Sequence, residues 1–128
     1  MGWIIAEAWD PSLSRGAADD WIKSEFKGSY DRAFIEGRFR QINGFEGINT
    51  NWTKLLKHRD GMWEVRVKSG GKQVRMLARE GADRRLVILS ACIKKGAIPE
   101  SCFTKAEQRW TEIEKDKLYV RDYPLNGC

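Results

Sequence analysis

The stretch that decides the fold, residues 63–76, reads WEVRVKSGGKQVRM. Apolar and polar residues alternate on both sides of Gly70-Gly71, which is the pattern of two half-buried strands. Adjacent glycines readily take the positive φ angles of a two-residue hairpin turn. The stretch therefore predicts an antiparallel β-hairpin.

The hydrophobic pattern also selects the register of this hairpin. With the two glycines as the loop, Val67 pairs with Val74 and Arg66 with Arg75, so the valines share one face. A slip of one residue would put Val67 opposite Arg75 and mix the apolar and charged faces. The pattern therefore predicts the register as well as the hairpin.

The polar face of the predicted hairpin is strongly basic. Arg66 and Arg75 oppose each other, and Lys68 lies two residues further along the strand. Directly opposed like charges destabilise a strand pair, and we expect Glu64 to offset part of the repulsion. The face is either a solvated basic surface or a phosphate clamp, since guanidinium and ammonium groups both bind phosphate oxygens.

Upstream of the hairpin, the sequence predicts one strand and two helices. Residues 3–9 form an apolar strand, followed by a turn at Asp10-Pro11-Ser12. Helical spacing of apolar residues indicates a first helix over residues 16–27. A second helix starts near Ser29 and ends at Asn43-Gly44. Its apolar stripe contains Phe34, Ile35, Phe39 and Ile42, and its outer side carries Arg32, Glu36, Arg38 and Arg40.

Three further elements are predicted after the second helix. A loop around residues 47–49 precedes a short segment at Leu55-Leu56. After the hairpin, the continuous apolar run at residues 86–89 is typical of a central strand covered on both faces, extending to about Ile93. A last helix is predicted over residues 104–115, with Thr104 and Glu107 as a capping box.

Together these elements predict an α+β fold, in which a helical hairpin and a C-terminal helix pack on a small, mainly antiparallel sheet. Residues 1–116 are predicted to form one domain, and residues 117–128 a loose C-terminal tail. The length of 128 residues suits a single domain with its own core.

Net charge and composition limit the classes of binding partner and the expected compartment. The net charge of +5 and pI of about 9.2 favour nucleic acid, an anionic membrane surface or an acidic protein. No apolar run approaches the ~20 residues of a spanning helix, and the first residues resemble neither a signal peptide nor a myristoylation site, so we expect a cytoplasmic protein without membrane attachment.

The cysteines and the histidine do not indicate a metal or cofactor site. Cys92, Cys102 and Cys128 lack the spacing of metal ligands. We expect Cys92 in the core, Cys128 at a mobile end, and His58 in solvent. The sequence therefore predicts no metal and no small-molecule cofactor.

Residues 63–75 resemble the central hairpin of the RelE/HigB-type toxins of bacterial type II toxin–antitoxin systems, in particular their phage-derived branch. Lys94-Lys95-Gly96, Pro99 and a helix containing Ala106, Glu107 and Arg109 are similar to that branch too. The resemblance covers roughly residues 3–115. It implies a RelE/ParE-like fold, an mRNA endonuclease active on messages in the ribosome, and an antitoxin partner, expected to be a helix-turn-helix protein.

The resemblance also implies roles for individual residues. Arg66, Lys68, Arg75 and Lys94 match the catalytic basic positions. Lys68 is the expected base, with Glu64 as the alternative, and the arginines stabilise the extra phosphate charge. The residues expected to bind RNA are Lys72, Arg79, Lys95 and Glu64.

One feature departs from the family pattern. Several members use a tyrosine or histidine shortly after the last strand, where this chain reads Gly96-Ala97-Ile98-Pro99-Glu100. Tyr119 and Tyr123 are expected to substitute only if the tail folds back. Three alternatives therefore stay open: a ParE-like toxin that inhibits gyrase, an RNA-binding module without catalysis, and a basic domain that binds an acidic protein.

Overall fold

The computed structural model describes residues 3–43 and 51–125. The elements of these ranges, in chain order, are β1 (Ile4–Asp10), β2 (Arg15–Gly16), α1 (Ala17–Glu25), α2 (Ser29–Asn43), β3 (Thr53–Leu55), β4 (Trp63–Ser69), β5 (Lys72–Glu80), β6 (Arg85–Ile93), α3 (Glu100–Glu114) and β7 (Tyr119–Asp122). The predictions that concern Gly44, the loop at residues 47–49 and Cys128 lie outside the described residues. None of the helices in these two ranges has the length and apolarity to cross a membrane.

All of these strands join one sheet. Its main path has the order β2-β1-β6-β5-β4-β3, and β7 pairs with β1. The β1–β6 pair is parallel and the other pairs are antiparallel. The mainly antiparallel α+β fold is thereby confirmed, and β6 occupies the central position that its continuous apolar run predicts.

The β4–β5 hairpin has the predicted register. Arg66 pairs with Arg75 and Val67 with Val74. Gly70 and Gly71 have φ angles of 57° and 77°, as a two-residue turn that follows the twist of its strands requires. The alternation of residue types was therefore sufficient to place the charged residues of this hairpin.

The sheet separates two apolar layers. On one side, α1 and α2 cover Val65, Val67, Val74 and Met76, and we name this the α1–α2 side. On the other, α3 covers Leu77, Val87 and Leu89, and we name this the α3 side. Because side chains alternate along a strand, Arg66 and Arg75, which lie between these apolar residues, face the α3 side.

A bulge in β6 shapes the α3 side. Leu77 pairs with Ser90 and Ala78 with Ile88, so Leu89 has no partner on β5. The bulge directs both Leu89 and Ser90 toward α3. The Leu89 carbonyl accepts a 2.6 Å hydrogen bond from Arg109 of α3, which ties the helix to the bulge.

The predicted start of the last helix is wrong. The helix α3 begins at Glu100, four residues earlier than expected, with Pro99 at the N-cap position. Thr104 therefore lies inside the helix, where its hydroxyl donates to the Glu100 carbonyl at 3.2 Å. The proline that breaks the chain thus also starts the helix, because its φ is fixed and its missing N–H is not needed there.

The prediction of a loose tail from residue 117 is also wrong. The strand β7 pairs with β1, and Arg121 donates to Glu7 Oε2 at 2.7 Å. Glu7 is fully buried, and its other oxygen accepts from the N–H groups of Ala18 and Asp19 at the start of α1. One buried carboxylate therefore holds both the last strand and the first helix.

The second helix differs from its prediction at two positions. Ile35, Phe39 and Ile42 are buried as expected, but Phe34 is 41% exposed. Glu36, predicted on the outer side, is buried instead. The cause is the last strand, because Tyr123 follows β7 into the α1–α2 side and donates to Glu36.

Candidate functional site

Three charged side chains meet on the α3 side of the β4–β5 hairpin. Glu64 and Arg66 lie on β4, and Arg75 lies on β5 directly opposite Arg66. We call Glu64, Arg66 and Arg75 the arginine cluster. Its two strands, β5 and β4, are separated from β1 by β6.

The carboxylate of Glu64 interacts with both arginines. Glu64 Oε1 accepts a hydrogen bond from Arg66 Nε and lies 3.6 Å from Arg75 Nε. The Glu64 side chain is only 5% exposed. The predicted compensation by Glu64 is confirmed, and the cluster as a whole keeps an excess of positive charge.

The two arginines differ in how firmly they are held. Arg75 also donates to the Val74 carbonyl at 3.0 Å and to Gln73 Oε1 at 3.1 Å, and its side chain is 12% exposed. The Arg66 side chain is 36% exposed. Arg75 is therefore an oriented group at the base of the cluster, and Arg66 is its more accessible neighbour.

Gln73 is a site residue that the sequence reasoning did not single out. It pairs with Lys68 on the α3 side, two residues from Arg75 on the same strand. Its side chain positions the Arg75 guanidinium through the 3.1 Å hydrogen bond. The alternation that placed Arg75 also places residue 73 on that face, so the signal was available.

Further lysines extend the positive charge around the cluster. Lys68 is exposed, and no ion pair to it is found within residues 3–43 and 51–125. Lys94 directly follows β6, and its backbone N–H donates to the Gln73 carbonyl at 2.8 Å. Lys95 is exposed in the turn that follows. The structure therefore brings Lys68 and Lys94 to the same end of the sheet as Arg75.

Two of the predicted RNA-binding residues lie elsewhere. Lys72 pairs with Ser69 and faces the α1–α2 side, where its Nζ is 3.6 Å from Glu25 and 5.2 Å from the Phe26 ring. Arg79 lies at the far end of β5, with its guanidinium carbon 5.8 Å from the Trp110 ring. Neither residue joins the arginine cluster.

The C-terminal tyrosines do not reach the cluster. Tyr123 lies on the α1–α2 side, where its hydroxyl donates to Glu36 at 2.7 Å and accepts from Arg32 at 3.1 Å. Burial, and then the carboxylate of Glu36, raise the pKa of Tyr123 far above its ordinary value. Tyr119 is exposed on β7, opposite Trp9 of β1. The tail folds back, but it brings no tyrosine to the α3 side of the hairpin.

The groups of this site that could act on a ligand are positively charged side chains. No group of three or more His, Cys, Asp or Glu side chains suited to a metal ion occurs in the part of the chain that the structure describes. His58 is exposed, as predicted. Oriented guanidinium groups such as those of the arginine cluster are suited to phosphate oxygens and to the negative charge on them.

Comparison with known proteins gives a family and a fold. The family described as phage-derived protein Gp49-like matches residues 31–117. Among solved structures, the chain is similar to an arginine-to-alanine double mutant of the Escherichia coli toxin RelE in the free state. That match has a TM-score of 0.53 and 15% identity, and covers 85% of this chain and 98% of the other. No curated protein matches the chain significantly.

Proposed function

The chain belongs to the phage-derived Gp49-like family, and we propose that it is the toxin of a type II toxin–antitoxin system and a metal-independent mRNA endonuclease. Family membership and the RelE-like fold confirm the resemblance to RelE-type toxins. The observation that carries the nuclease proposal is the arginine cluster, in which Arg66 and Arg75 face each other over one buried carboxylate. The proposed substrate is mRNA held in the ribosome.

The proposed reaction uses the 2′-hydroxyl of the RNA as nucleophile. It attacks the adjacent phosphorus, the bond to the 5′-oxygen breaks, and the products are a 2′,3′-cyclic phosphate and a free 5′-hydroxyl. The pentacoordinate phosphate carries extra negative charge, and preorganised donors stabilise such charge best. Arg75, already fixed by Gln73 and the Val74 carbonyl, is the proposed principal donor. Arg66 is the second.

Proton transfer is assigned to the lysines around the cluster. Glu64 is buried and engaged by both arginines, so we assign it a positioning role and not that of the base. Lys68 is exposed on the same face, and its neutral amine is the proposed acceptor of the 2′-hydroxyl proton, which converts it to the ammonium form. Lys94, at the end of β6, is the proposed donor to the leaving oxygen. Lys95 is proposed to bind a flanking phosphate.

The proposed antitoxin covers the arginine cluster with an acidic segment. A partner carboxylate would supply the negative charge that Glu64 alone does not provide for two arginines. We also propose that the antitoxin is a helix-turn-helix protein and that the toxin acts in the cytoplasm. An adjacent gene encoding such a protein would support it.

RNA binding without cleavage is the second candidate function. It is favoured by the absence of any histidine or tyrosine at the arginine cluster among the described residues, because Tyr123 is buried on the opposite side of the sheet. A binding module would retain the phosphate contacts of Arg66 and Arg75. Such a protein would protect RNA and leave its ends unchanged.

Induced expression with mapping of mRNA 5′ ends tests the proposal. We expect growth arrest and new 5′ ends bearing hydroxyl groups within translated regions. Growth arrest with intact mRNA and loss of DNA supercoiling would instead show a gyrase inhibitor. Binding of RNA with neither arrest nor new ends would leave the non-catalytic module as the function.

A further inference from the structure

Two cysteines from different elements meet on the α3 side, next to the arginine cluster. Cys92 lies on β6 directly opposite Arg75, and Cys102 lies in the first turn of α3. Cys92 is half-buried rather than fully in the core as predicted, and Cys102 is buried. Both thiols are free, so β6 and α3 each contribute one reduced cysteine here.

Ser90, next to the bulge in β6, contacts Cys102 on the face of the strand that also carries Cys92. The Ser90 hydroxyl donates to the Cys102 carbonyl at 2.9 Å and lies 3.3 Å from Cys102 Sγ. Ser90 and Cys92 are two residues apart on one strand and project from the same face. The first turn of α3 is thereby fixed over this face, and Cys92 packs against the same buried cluster that contains Cys102.

The two thiols differ in acidity. The hydrogen bond from Cys92, helped by Ser90, Lys105 and Arg109, outweighs burial and lowers the pKa of Cys102 to about 7. Their interaction and burial raise the pKa of Cys92 well above its ordinary value. Because the thiolate is the reactive form, the lower pKa makes Cys102 the candidate for the attacking sulfur, with the half-buried Cys92 as the resolving one.

We propose that Cys92 and Cys102 form a reversible intramolecular disulfide when the protein meets a hydroperoxide. The sulfur of Cys102 attacks one peroxide oxygen and the O–O bond breaks. With hydrogen peroxide, the departing hydroxide takes a proton and leaves as water, and Cys102 becomes a sulfenic acid. The sulfur of Cys92 then attacks that sulfur, the S–S bond forms, the S–O bond breaks, and a second water leaves.

The electron balance closes with the peroxide as oxidant. The two sulfurs together lose two electrons, and the two peroxide oxygens gain them. A dithiol reductant reverses the modification by thiol–disulfide exchange. The modification depends only on the placement of Cys92 and Cys102, and it holds whether or not the chain cleaves RNA.

The disulfide would fasten α3 to the central strand at the position of Arg75. It closes a short loop between residues 92 and 102, which restricts the unfolded chain. We therefore expect the melting temperature of the oxidised protein to rise by several degrees. Any effect on RNA cleavage through Arg75 rests on the proposed function.

The experiment exposes the reduced full-length protein to hydrogen peroxide, alkylates the remaining thiols and maps the peptides by mass without reductant. We expect a peptide pair linked through Cys92 and Cys102, more abundant by about tenfold than any pair linked through Cys128. Dithiothreitol should abolish the link. The Cys128→Ser variant is the matched control and should form the same link.

Two outcomes would overturn the proposal. One is continued alkylation of Cys92 and Cys102 under peroxide that oxidises Cys128. The other is conversion of Cys102 to a sulfinic acid without any link to Cys92. In the Cys92→Ser variant, checked for native circular dichroism, the sulfenic acid on Cys102 should persist and react with dimedone, whereas no trapping there would contradict the assigned order.

Discussion

Two arginine networks, one on each side of the sheet, differ in how fully their charges are compensated. On the α1–α2 side, Arg32 contacts Asp19, Glu36 and the Tyr123 hydroxyl, so each charge has an opposite partner within the fold. On the α3 side, Arg66 and Arg75 share one carboxylate. Directly opposed like charges on paired strands cost stability, and a chain keeps them where they serve another purpose. On this contrast we assign a structural role to the first network and propose a functional one for the second.

The largest expected effect on RNA cleavage comes from comparing an alanine substitution of one arginine on each side of the sheet. Arg75→Ala removes the proposed donor to the transition state and should reduce RNA cleavage by about 10²–10³-fold, as for loss of one oriented donor. Arg32→Ala, on the α1–α2 side, should lower stability and leave the cleavage rate per folded molecule unchanged. The measurement is cleavage of a defined message by purified proteins whose folded fraction is known. Equal losses in the two variants would remove the distinction between the sides.

Tyr123→Phe sharpens the comparison through stability. It deletes a buried hydroxyl that donates to Glu36 and accepts from Arg32. We expect a loss of about 1–2 kcal/mol in the free energy of unfolding, because buried polar groups lose a partner. Urea denaturation gives the value, and cleavage should be unaffected. Unchanged stability with loss of cleavage would instead assign a chemical role to Tyr123.

Two lysines near the hairpin turn form a matched pair. Lys68 faces the α3 side and Lys72 the α1–α2 side. Lys68→Ala should reduce the slope of log affinity against log salt for single-stranded RNA by about 0.7, the value for one phosphate contact. Lys72→Ala should leave the slope unchanged. A change for Lys72 alone would place the RNA on the other side of the sheet.

The smallest expected effect is the acid sensitivity contributed by Asp19. Burial acts to raise the pKa of Asp19, but hydrogen bonds from Arg32 and Lys23 outweigh it, and the pKa is lowered from 3.8. The folded state therefore binds fewer protons than the unfolded state, and this stability is present above pH 3.8 and lost as the pH falls below it. Asp19→Asn should flatten the stability profile in that window by no more than about 1 kcal/mol. An identical profile in both proteins would show that Asp19 contributes nothing to acid unfolding.

The sequence predicted the α3 side better than the α1–α2 side. The positions of Arg66, Arg75 and Lys68 follow from local alternation and a two-residue turn, which depend on neighbours within a few residues. The same rule places Lys72 beside Ser69 on the opposite face, so its separation from the cluster was readable from the register.

Apart from the start of α3, which Pro99 sets locally, the misplaced features depend on contacts between distant parts of the chain. Glu36 looked like a surface residue because its partner, Tyr123, is 87 positions away. The strand β7 is short, and its docking depends on the buried Glu7, for which no local pattern exists. The bulge at Leu89 likewise cannot be read from a continuous apolar run, yet it sets the position of α3 over the site.

The most direct test of the central claim maps mRNA 5′ ends in cells that express either Arg75→Ala or Tyr123→Phe at matched levels of folded protein. The account predicts new 5′ ends and growth arrest with Tyr123→Phe, as with the unaltered chain, and neither with Arg75→Ala. New 5′ ends of equal abundance with Arg75→Ala would contradict the assignment of RNA cleavage to the arginine cluster.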